Sequence, residues 1–172
     1  MPYLALHLLM LISGCTGIPS GIEAVTGFDL NRYLGTWYEI ARLDHRFERG
    51  LTDIHAEYSR RPDGGVKVVN SGYNRETGQR ESAEGKAYFV ESPDIGRLRV
   101  SFFGPFYGGY NIIALDKINY RYVMITGPNR DYLWVLSRTP TLDQPTLQRL
   151  LDQAKGLGFA TEALIFDKHD SP

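Results

Sequence analysis

A chain of 172 residues has the length of one domain, since single domains usually hold about 100 to 200 residues. Its 19 Lys and Arg against 20 Asp and Glu give a formal net charge of −1, so there is no basic excess to neutralise a phosphate backbone, and we expect no nucleic-acid partner. With 42% hydrophobic and 12% aromatic residues, the chain is too apolar for a disordered protein, which predicts one folded core.

The first predicted element is a signal peptide over residues 1–14. An apolar run from Tyr3 to Ile12 is about ten residues long, which is half of what a membrane-spanning helix needs and is typical of a signal-peptide core. The sequence Ile-Ser-Gly-Cys that ends at Cys15 resembles the lipobox of bacterial lipoproteins, and the resemblance implies lipidation of Cys15. The next residue is Thr16 and not the Asp that resembles an inner-membrane retention signal, so the resemblance implies export to the outer membrane.

Residues 15–27 are predicted to be the lipidated N-terminus and a tether, because the segment from Thr16 to Gly27 is rich in Gly, Ser, Thr and Pro. The remaining residues, 28–172, are predicted to form the folded domain. Cys15 is the single cysteine, so an intrachain disulfide and a cysteine-based zinc site are excluded.

The domain shows a two-residue hydrophobic period with turn residues every eight to twelve positions, which predicts a meander of antiparallel strands. No crossover helices separate the apolar runs, so a parallel sheet is disfavoured. Such a meander avoids exposed edges by closing into a barrel. The eight predicted strands are Thr36 to Arg42, Thr52 to Arg60, Gly65 to Tyr73, Arg80 to Val90, Arg97 to Phe103, Tyr110 to Leu115, Tyr120 to Thr126 and Asp131 to Arg138.

Strand alternation gives candidate residues for the inside of the barrel. The inner face of the fourth predicted strand holds small residues around Ala87, which leaves space. This pattern alone leaves two alternatives open, a cavity for a ligand and a barrel filled by its own side chains. The residues predicted to contact an acyl chain are Ala56, Tyr58, Ala87, Phe89, Val100, Phe102, Tyr110 and Trp134.

One amphipathic helix is predicted after the strands. Asp143 is placed to cap it, Pro145 lies in its first turn, and apolar residues from Leu147 to Ala154 recur at helical spacing. We expect this helix to pack on the outside of the barrel, to end near Gly156 or Gly158, and to be followed by a short strand near Phe166.

His45 and His55, with Asp53 and Glu57 close in sequence, are the nearest approach to an acid–base or metal site. Their spacing fits no common metal motif, and on the second predicted strand Asp53, His55 and Glu57 share the face that we expect to point at solvent. No nucleophile elbow or phosphate-binding glycine loop is present. We therefore expect no catalytic residues, no metal and no cofactor.

The segment Phe28 to Ile40, with the run Gly-Thr-Trp at Gly35 to Trp37, resembles the N-terminal signature of the lipocalin family. A second run, Trp134 to Pro140, is similar to the family's third conserved region, whose arginine lies across the indole. The resemblance implies that Gly35, Trp37 and Arg138 close one end of an eight-stranded antiparallel up-and-down lipocalin barrel. The second conserved region matches only at Asp116.

The runs Ser101 to Asn111 and Gly127 to Trp134 resemble the bacterial lipoprotein branch of the lipocalins. This resemblance favours an open cavity and implies a protein of the bacterial outer membrane, lipid-anchored through Cys15, that binds fatty acids and lysophospholipids. Alternatives are a structural or assembly lipoprotein with a filled barrel, and a lipid-modifying enzyme on the same scaffold. Phe103, Phe106 and Tyr107 are expected either to line the open mouth or to form the contact of a homodimer.

Overall fold

The computed structural model describes residues 16–169. It consists of a closed antiparallel barrel of eight strands, with one longer helix outside it and a short ninth strand at the C-terminus. The elements are α1 (Leu30–Tyr33), β1 (Gly35–Arg42), β2 (Leu51–Arg60), β3 (Val66–Asn74), β4 (Gln79–Phe89), β5 (Arg97–Phe103), β6 (Phe106–Leu115), β7 (Tyr122–Thr126), β8 (Leu133–Ser137), α2 (Gln144–Gly156), a 3₁₀ turn (Thr161–Ala163) and β9 (Ile165–Phe166).

Sequential strands pair with each other, and β1 closes the barrel by pairing with both β2 and β8. This topology confirms the predicted eight-stranded antiparallel up-and-down barrel with one C-terminal helix.

Because the strands alternate in direction, the loops fall into two sets. The β1–β2, β3–β4, β5–β6 and β7–β8 loops surround one end, here called the mouth. The β2–β3, β4–β5 and β6–β7 loops, with α1, lie at the other end, here called the closed end.

Three strand starts differ from the predicted ones by two residues or more, and the other boundaries agree to within one residue. Strand β6 begins at Phe106, because Gly108 pairs with Val100 inside the sheet and the turn lies at Gly104. Strand β7 begins at Tyr122, after a turn in which Tyr120 has a φ of 53°. Strand β8 begins at Leu133. Gly108 and Gly109 are thus strand residues, and a Cβ on Gly109 would lie 2.6 Å from the backbone carbonyl oxygen of Gly17.

Two apolar cores lie on opposite sides of the barrel wall. The inner core fills the closed half of the barrel and includes Trp37, Val66, Leu98 and Ile125. The outer core lies between the wall and helix α2 and includes Leu150, as the helical period predicted. Asp143 caps α2 by accepting a hydrogen bond from the Thr146 N–H at 2.9 Å, and Pro145 lies in the first turn, where its missing N–H costs nothing.

Residues 16–27, expected to be a free tether, lie against the outside of the barrel. Ile22 is buried in the outer core. The Val25 N–H donates to the Ile112 carbonyl at 2.9 Å, and the Val25 carbonyl accepts from the Gly96 N–H at 2.8 Å. Three apolar residues, Ile18, Ile22 and Val25, provide enough burial to hold a segment whose composition otherwise resembles a linker. The predicted signal peptide, 1–14, and Cys15 lie outside the described residues.

Candidate ligand-binding site

The inner face of the barrel brings together every residue that alternation predicted for an acyl chain. Ala56, Tyr58 and Ala87 are buried members of the inner core, and the other five are partly buried and pack against it. Those five are Phe89, Val100, Phe102, Tyr110 and Trp134. All eight side chains therefore belong to the inner core or pack against it, and their contact with a ligand stays a prediction.

A Trp–Arg pair closes one end of the barrel. Trp37 is fully buried, and its indole N–H donates to the Tyr33 carbonyl at 2.8 Å. The Arg138 guanidinium lies over the indole, with its central carbon 3.9 Å from the ring centroid, and donates to the carbonyls of Thr36 at 2.9 Å and Arg32 at 2.7 Å. Arg138 thus fastens the start of β1 and the end of α1 over the indole.

Gly35 is required at this corner. Its φ of +96° lies in a region that residues with a Cβ rarely adopt. A Cβ there would also lie 3.4 Å from Arg138 Nη1. The entry of β1 and the position of the guanidinium therefore depend on the same glycine.

Asp116 organises the β6–β7 loop at the closed end. Its carboxylate accepts hydrogen bonds from the backbone amides of Ile118 and Asn119 and from the Arg121 side chain at 3.0 Å. Burial by itself would raise the pKa of this carboxyl, but the Arg121 and backbone N–H donors outweigh it, and the pKa lies below its usual value. Asp116, the single residue that matches the second conserved lipocalin region, therefore stabilises the β6–β7 loop at the closed end.

Three tyrosine hydroxyls form a polar cluster inside the closed half. The Tyr110 hydroxyl is hydrogen-bonded to that of Tyr33 and, at 2.8 Å, to that of Tyr58. Burial raises the pKa of all three phenols, that of Tyr58 to about 12, so they are neutral at physiological pH. They border an apolar cavity of about 10 Å³, also lined by Val68 and Leu98, which is close to the smallest volume that holds one water.

The mouth half carries charged side chains on the inner wall. Arg42 Nη1 donates to Glu39 Oε1 at 2.6 Å, and both side chains are almost fully buried. Glu48, from the β1–β2 loop, accepts from the Trp134 indole at 3.1 Å, and its Oε2 lies 2.8 Å from His45 Nε2. The β1–β2 loop is thereby attached to the inner wall beside Trp134.

Two carboxylates share one guanidinium in this cluster, which determines how they titrate. Burial and the neighbouring Glu48 charge raise the pKa of Glu39 well above its usual value. Burial also opposes ionisation of Glu48, but the donors His45 and Trp134, with Arg42, hold its pKa below the usual value. Of the two carboxyl groups, that of Glu39 is therefore the more easily protonated.

His45 and His55 lie at different places in the barrel. His45 packs against Phe47 and Trp134 at the mouth, whereas His55 lies beside Tyr38. Asp53, expected to point at solvent, is instead hydrogen-bonded to His169 at 2.8 Å, so it fastens the C-terminal segment. Within residues 16–169, no group of three or more His, Cys, Asp or Glu side chains could hold a metal ion.

Sequence reasoning missed the polar residues inside the barrel. Tyr33 lies within the recognised signature, but nothing in the sequence pairs it with Tyr110. Glu39 follows Trp37 at the two-residue period, so alternation alone places it inside. Arg42 breaks that alternation, because the β1–β8 pairing shifts register between Glu39 and Ala41, and a bulge of this kind leaves no sequence signal.

Among residues 16–169, no helix is long and apolar enough to cross a membrane. Residues 28–169 match the family model for a lipocalin-like domain. The structure of insecticyanin from the tobacco hornworm is similar, with a TM-score of 0.69 and 22% identity over 91% of this chain and 88% of that chain. At this identity, the similarity supports the fold alone.

Proteins named outer membrane lipoprotein Blc are similar over most of the chain. That of Vibrio cholerae serotype O1 is 52% identical over 157 residues, covering 91% of this chain and 92% of the relative. That of Escherichia coli K12 is 55% identical over 148 residues, covering 86% and 83%. Apolipoprotein D of Cavia porcellus is 37% identical over 131 residues, covering 73% and 68%. With its closed barrel, its Trp37–Arg138 pair and these relatives, the chain belongs to the lipocalin family.

Proposed function

We propose that this lipocalin is a lipid-anchored protein of the outer membrane that binds fatty acids and lysophospholipids inside its barrel, for lipid storage or transport in membrane maintenance. The observation that carries the proposal is the inner face of the barrel. Its side chains, among them Ala56 and Trp134, are mainly apolar and aromatic, and Trp37 covers the closed end. The proposed role is binding without catalysis, as is general in the family.

The distribution of polarity inside the barrel supports an amphiphilic ligand. The closed half is lined mainly by apolar side chains such as Val68, Ala87 and Leu98, with the neutral tyrosine cluster beside them, whereas the charged Glu39, Arg42 and Glu48 lie toward the mouth. The cavity in the closed half is about 10 Å³, so an acyl chain would enter only as the inner-core side chains move apart, and its polar head would stay among the charged groups. This orientation matches a molecule with one apolar and one polar end.

Burial of the acyl-chain methylenes can account for a dissociation constant in the micromolar range. Each buried CH₂ contributes about 0.8 kcal/mol, so ten methylenes contribute roughly 8 kcal/mol before the cost of immobilising the ligand is subtracted. Micromolar dissociation constants correspond to about −8 kcal/mol. Longer acyl chains or favourable head-group contacts would offset the binding costs and reach that range.

The anchor is proposed at Cys15. Its support is the lipobox that ends at Cys15 and the relatives named outer membrane lipoproteins. Two or more acyl chains on one residue give stable membrane attachment, whereas one chain gives only marginal attachment. Intact-mass analysis of the membrane-extracted protein should show the acyl chains, and Cys15→Ser should release an unmodified chain.

The binding proposal is tested by native mass spectrometry during titration with lysophosphatidylethanolamine, with tryptophan emission followed in parallel. We expect a saturable 1:1 adduct and a shift in emission, because Trp134 lies partly exposed on the inner wall. Val100→Trp, on the same wall, should abolish the adduct. Glu84→Trp, at an exposed position on the outer face, is the matched control and should bind normally.

The alternatives predict different results. A structural or assembly lipoprotein with a filled barrel would give no adduct with any fatty acid or lysophospholipid. A lipid-modifying enzyme would give an adduct whose bound mass changes with time. Thermal unfolding of both Trp variants, measured beforehand, separates loss of binding from loss of fold.

A further inference from the structure

Exposed aromatic side chains surround the mouth of the barrel. Phe47 in the β1–β2 loop is 56% exposed, and Phe103 and Phe106, on either side of the β5–β6 turn, are 67% and 77% exposed. These three residues, here called the rim, belong to loops that the topology places at the same end. Large apolar side chains exposed together mark a contact surface more often than isolated ones do.

Cations accompany the rim. The Arg46 guanidinium lies 5.0 Å from the centroid of the Phe47 ring, and that of Arg99 lies 4.8 Å from the Tyr107 ring. Long cationic side chains can place their apolar stems on aromatic surface while the charge reaches phosphate groups. This combination fits the boundary between acyl chains and head groups better than it fits a purely apolar protein surface.

The start of the described chain lies at the mouth half of the barrel. The Gly17 carbonyl accepts from Asn111 Nδ2 at 2.9 Å, and the same Asn111 nitrogen donates to the Gly127 carbonyl at the beginning of the β7–β8 loop. Gly17 packs so closely on β6 that a Cβ on Gly109 would lie 2.6 Å from the Gly17 carbonyl oxygen. From there the chain runs along the outer wall to Phe28 at the closed end.

The position of Gly17 limits where an anchor at Cys15 can lie. Two residues of extended chain reach at most about 7 Å. Gly109 is three residues from Phe106 and six from Leu115 along β6, or about 10 Å and about 20 Å at the usual rise per residue. An anchor two residues before Gly17 would therefore lie within about 7 Å of it, and residues 16–27 cannot extend as a spacer while they are packed on the wall.

We propose that the mouth docks directly on the phospholipid surface that holds the anchor, with Phe47, Phe103 and Phe106 inserted among the head groups. The inference rests on the proposed function in one respect, since it requires acyl chains on Cys15. Docked in this way, the mouth opens onto the bilayer, so a lipid enters the barrel without crossing bulk water. The closed end, with Ile118, points away from the membrane.

The test places an environment-sensitive nitrobenzoxadiazole dye at each end of the lipidated full chain. In that chain Cys15 is acylated, so Phe106→Cys and Ile118→Cys each provide one reactive thiol. Ile118 is the matched control, because it is 81% exposed but belongs to the β6–β7 loop at the closed end. Both proteins are reconstituted in vesicles of phosphatidylethanolamine and phosphatidylglycerol that contain spin-labelled lipid.

We expect the dye at position 106 to shift to the blue and to be quenched by spin-labelled lipid, and the dye at position 118 to show neither change. Equal quenching at both positions, or quenching at 118 alone, would overturn the proposal. A blue shift at 106 without quenching by lipid would also overturn it, since it would mean that the rim is covered by a second copy of the chain.

A second measurement does not depend on labelling. Transfer of lysophospholipid from vesicles to the double variant Phe103→Asp with Phe106→Asp should be about tenfold slower than transfer to Ile118→Asp, because charged rim residues do not insert among head groups. Equal transfer rates would contradict the proposal. If the dye at 106 is quenched but no lysophospholipid adduct forms in native mass spectrometry, docking stands and the proposed ligand-binding function fails.

Discussion

Replacing Arg138 with alanine tests the closure of the barrel. The guanidinium lies 3.9 Å from the Trp37 ring centroid and donates to two backbone carbonyls at 2.9 and 2.7 Å. A half-buried cation over an indole contributes about 1 kcal/mol, and each hydrogen bond from a charged donor contributes about 1.5 kcal/mol. Arg138→Ala should therefore lower the free energy of unfolding by about 4 kcal/mol, which corresponds to a fall in Tm of about 10 °C for a domain of this size.

The assay is urea unfolding followed by tryptophan fluorescence, with the wild type and a control variant measured side by side. The control is Arg149→Ala, because Arg149 also lies over an aromatic ring, that of Tyr122 at 5.2 Å, but on the exposed face of α2. Its loss should cost less than about 0.5 kcal/mol. A loss of unfolding free energy below about 1 kcal/mol for Arg138→Ala would refute the reasoning, since the two hydrogen bonds alone should contribute more than that.

Three further changes probe the interior. Tyr110→Phe leaves two buried hydroxyls without their partner and should cost about 2 kcal/mol in urea unfolding; a cost equal to that of the exposed control Tyr73→Phe would contradict the tyrosine cluster. Burial raises the pKa of Glu39 in the folded state, so its contribution to stability is present below its unfolded pKa and is lost as pH rises through the folded value. The stability of Glu39→Gln relative to the wild type should therefore rise as the pH increases above the usual pKa of a glutamate carboxyl, and a difference that does not change with pH would refute the assignment. Glu48→Ala removes the acceptor of the Trp134 indole and should speed lysophospholipid association in stopped flow, whereas an unchanged rate would show that the β1–β2 loop does not limit entry.

The barrel could be predicted from the sequence because each strand has its own alternating hydrophobic residues and its own flanking turn residues. Alternation on β4 placed Ala87 and Phe89 inside, and turn residues marked most strand ends, so pairing of sequential strands followed. The Gly35–Trp37 run and Arg138 could be recognised because they match lipocalin motifs, and in that family these motifs imply a position at the closed end of the barrel. The structure places Arg138 over the indole of Trp37, as that resemblance implied.

The tyrosine cluster could not be predicted, because its contacts join residues far apart in the sequence. Tyr33 and Tyr110 are 77 positions apart, and only the closed barrel brings their hydroxyls together. Arg42 points inward because of a register shift that depends on β8 as well as β1. The packing of residues 16–27 on the barrel was missed for a similar reason, since a composition rich in Gly, Ser, Thr and Pro describes the segment alone and not the wall on which it packs.

The packed N-terminal segment has a practical consequence for the choice of soluble fragments. The family match begins at residue 28, and a fragment designed from that boundary would omit Ile22 and Val25. It would expose the outer-core surface beneath Ile22 and leave the Gly96 N–H and the Ile112 carbonyl without the partners that Val25 provides. A fragment that starts at Gly17 keeps these contacts and lacks the only cysteine, so it is the better choice for crystallisation and for site-specific labelling.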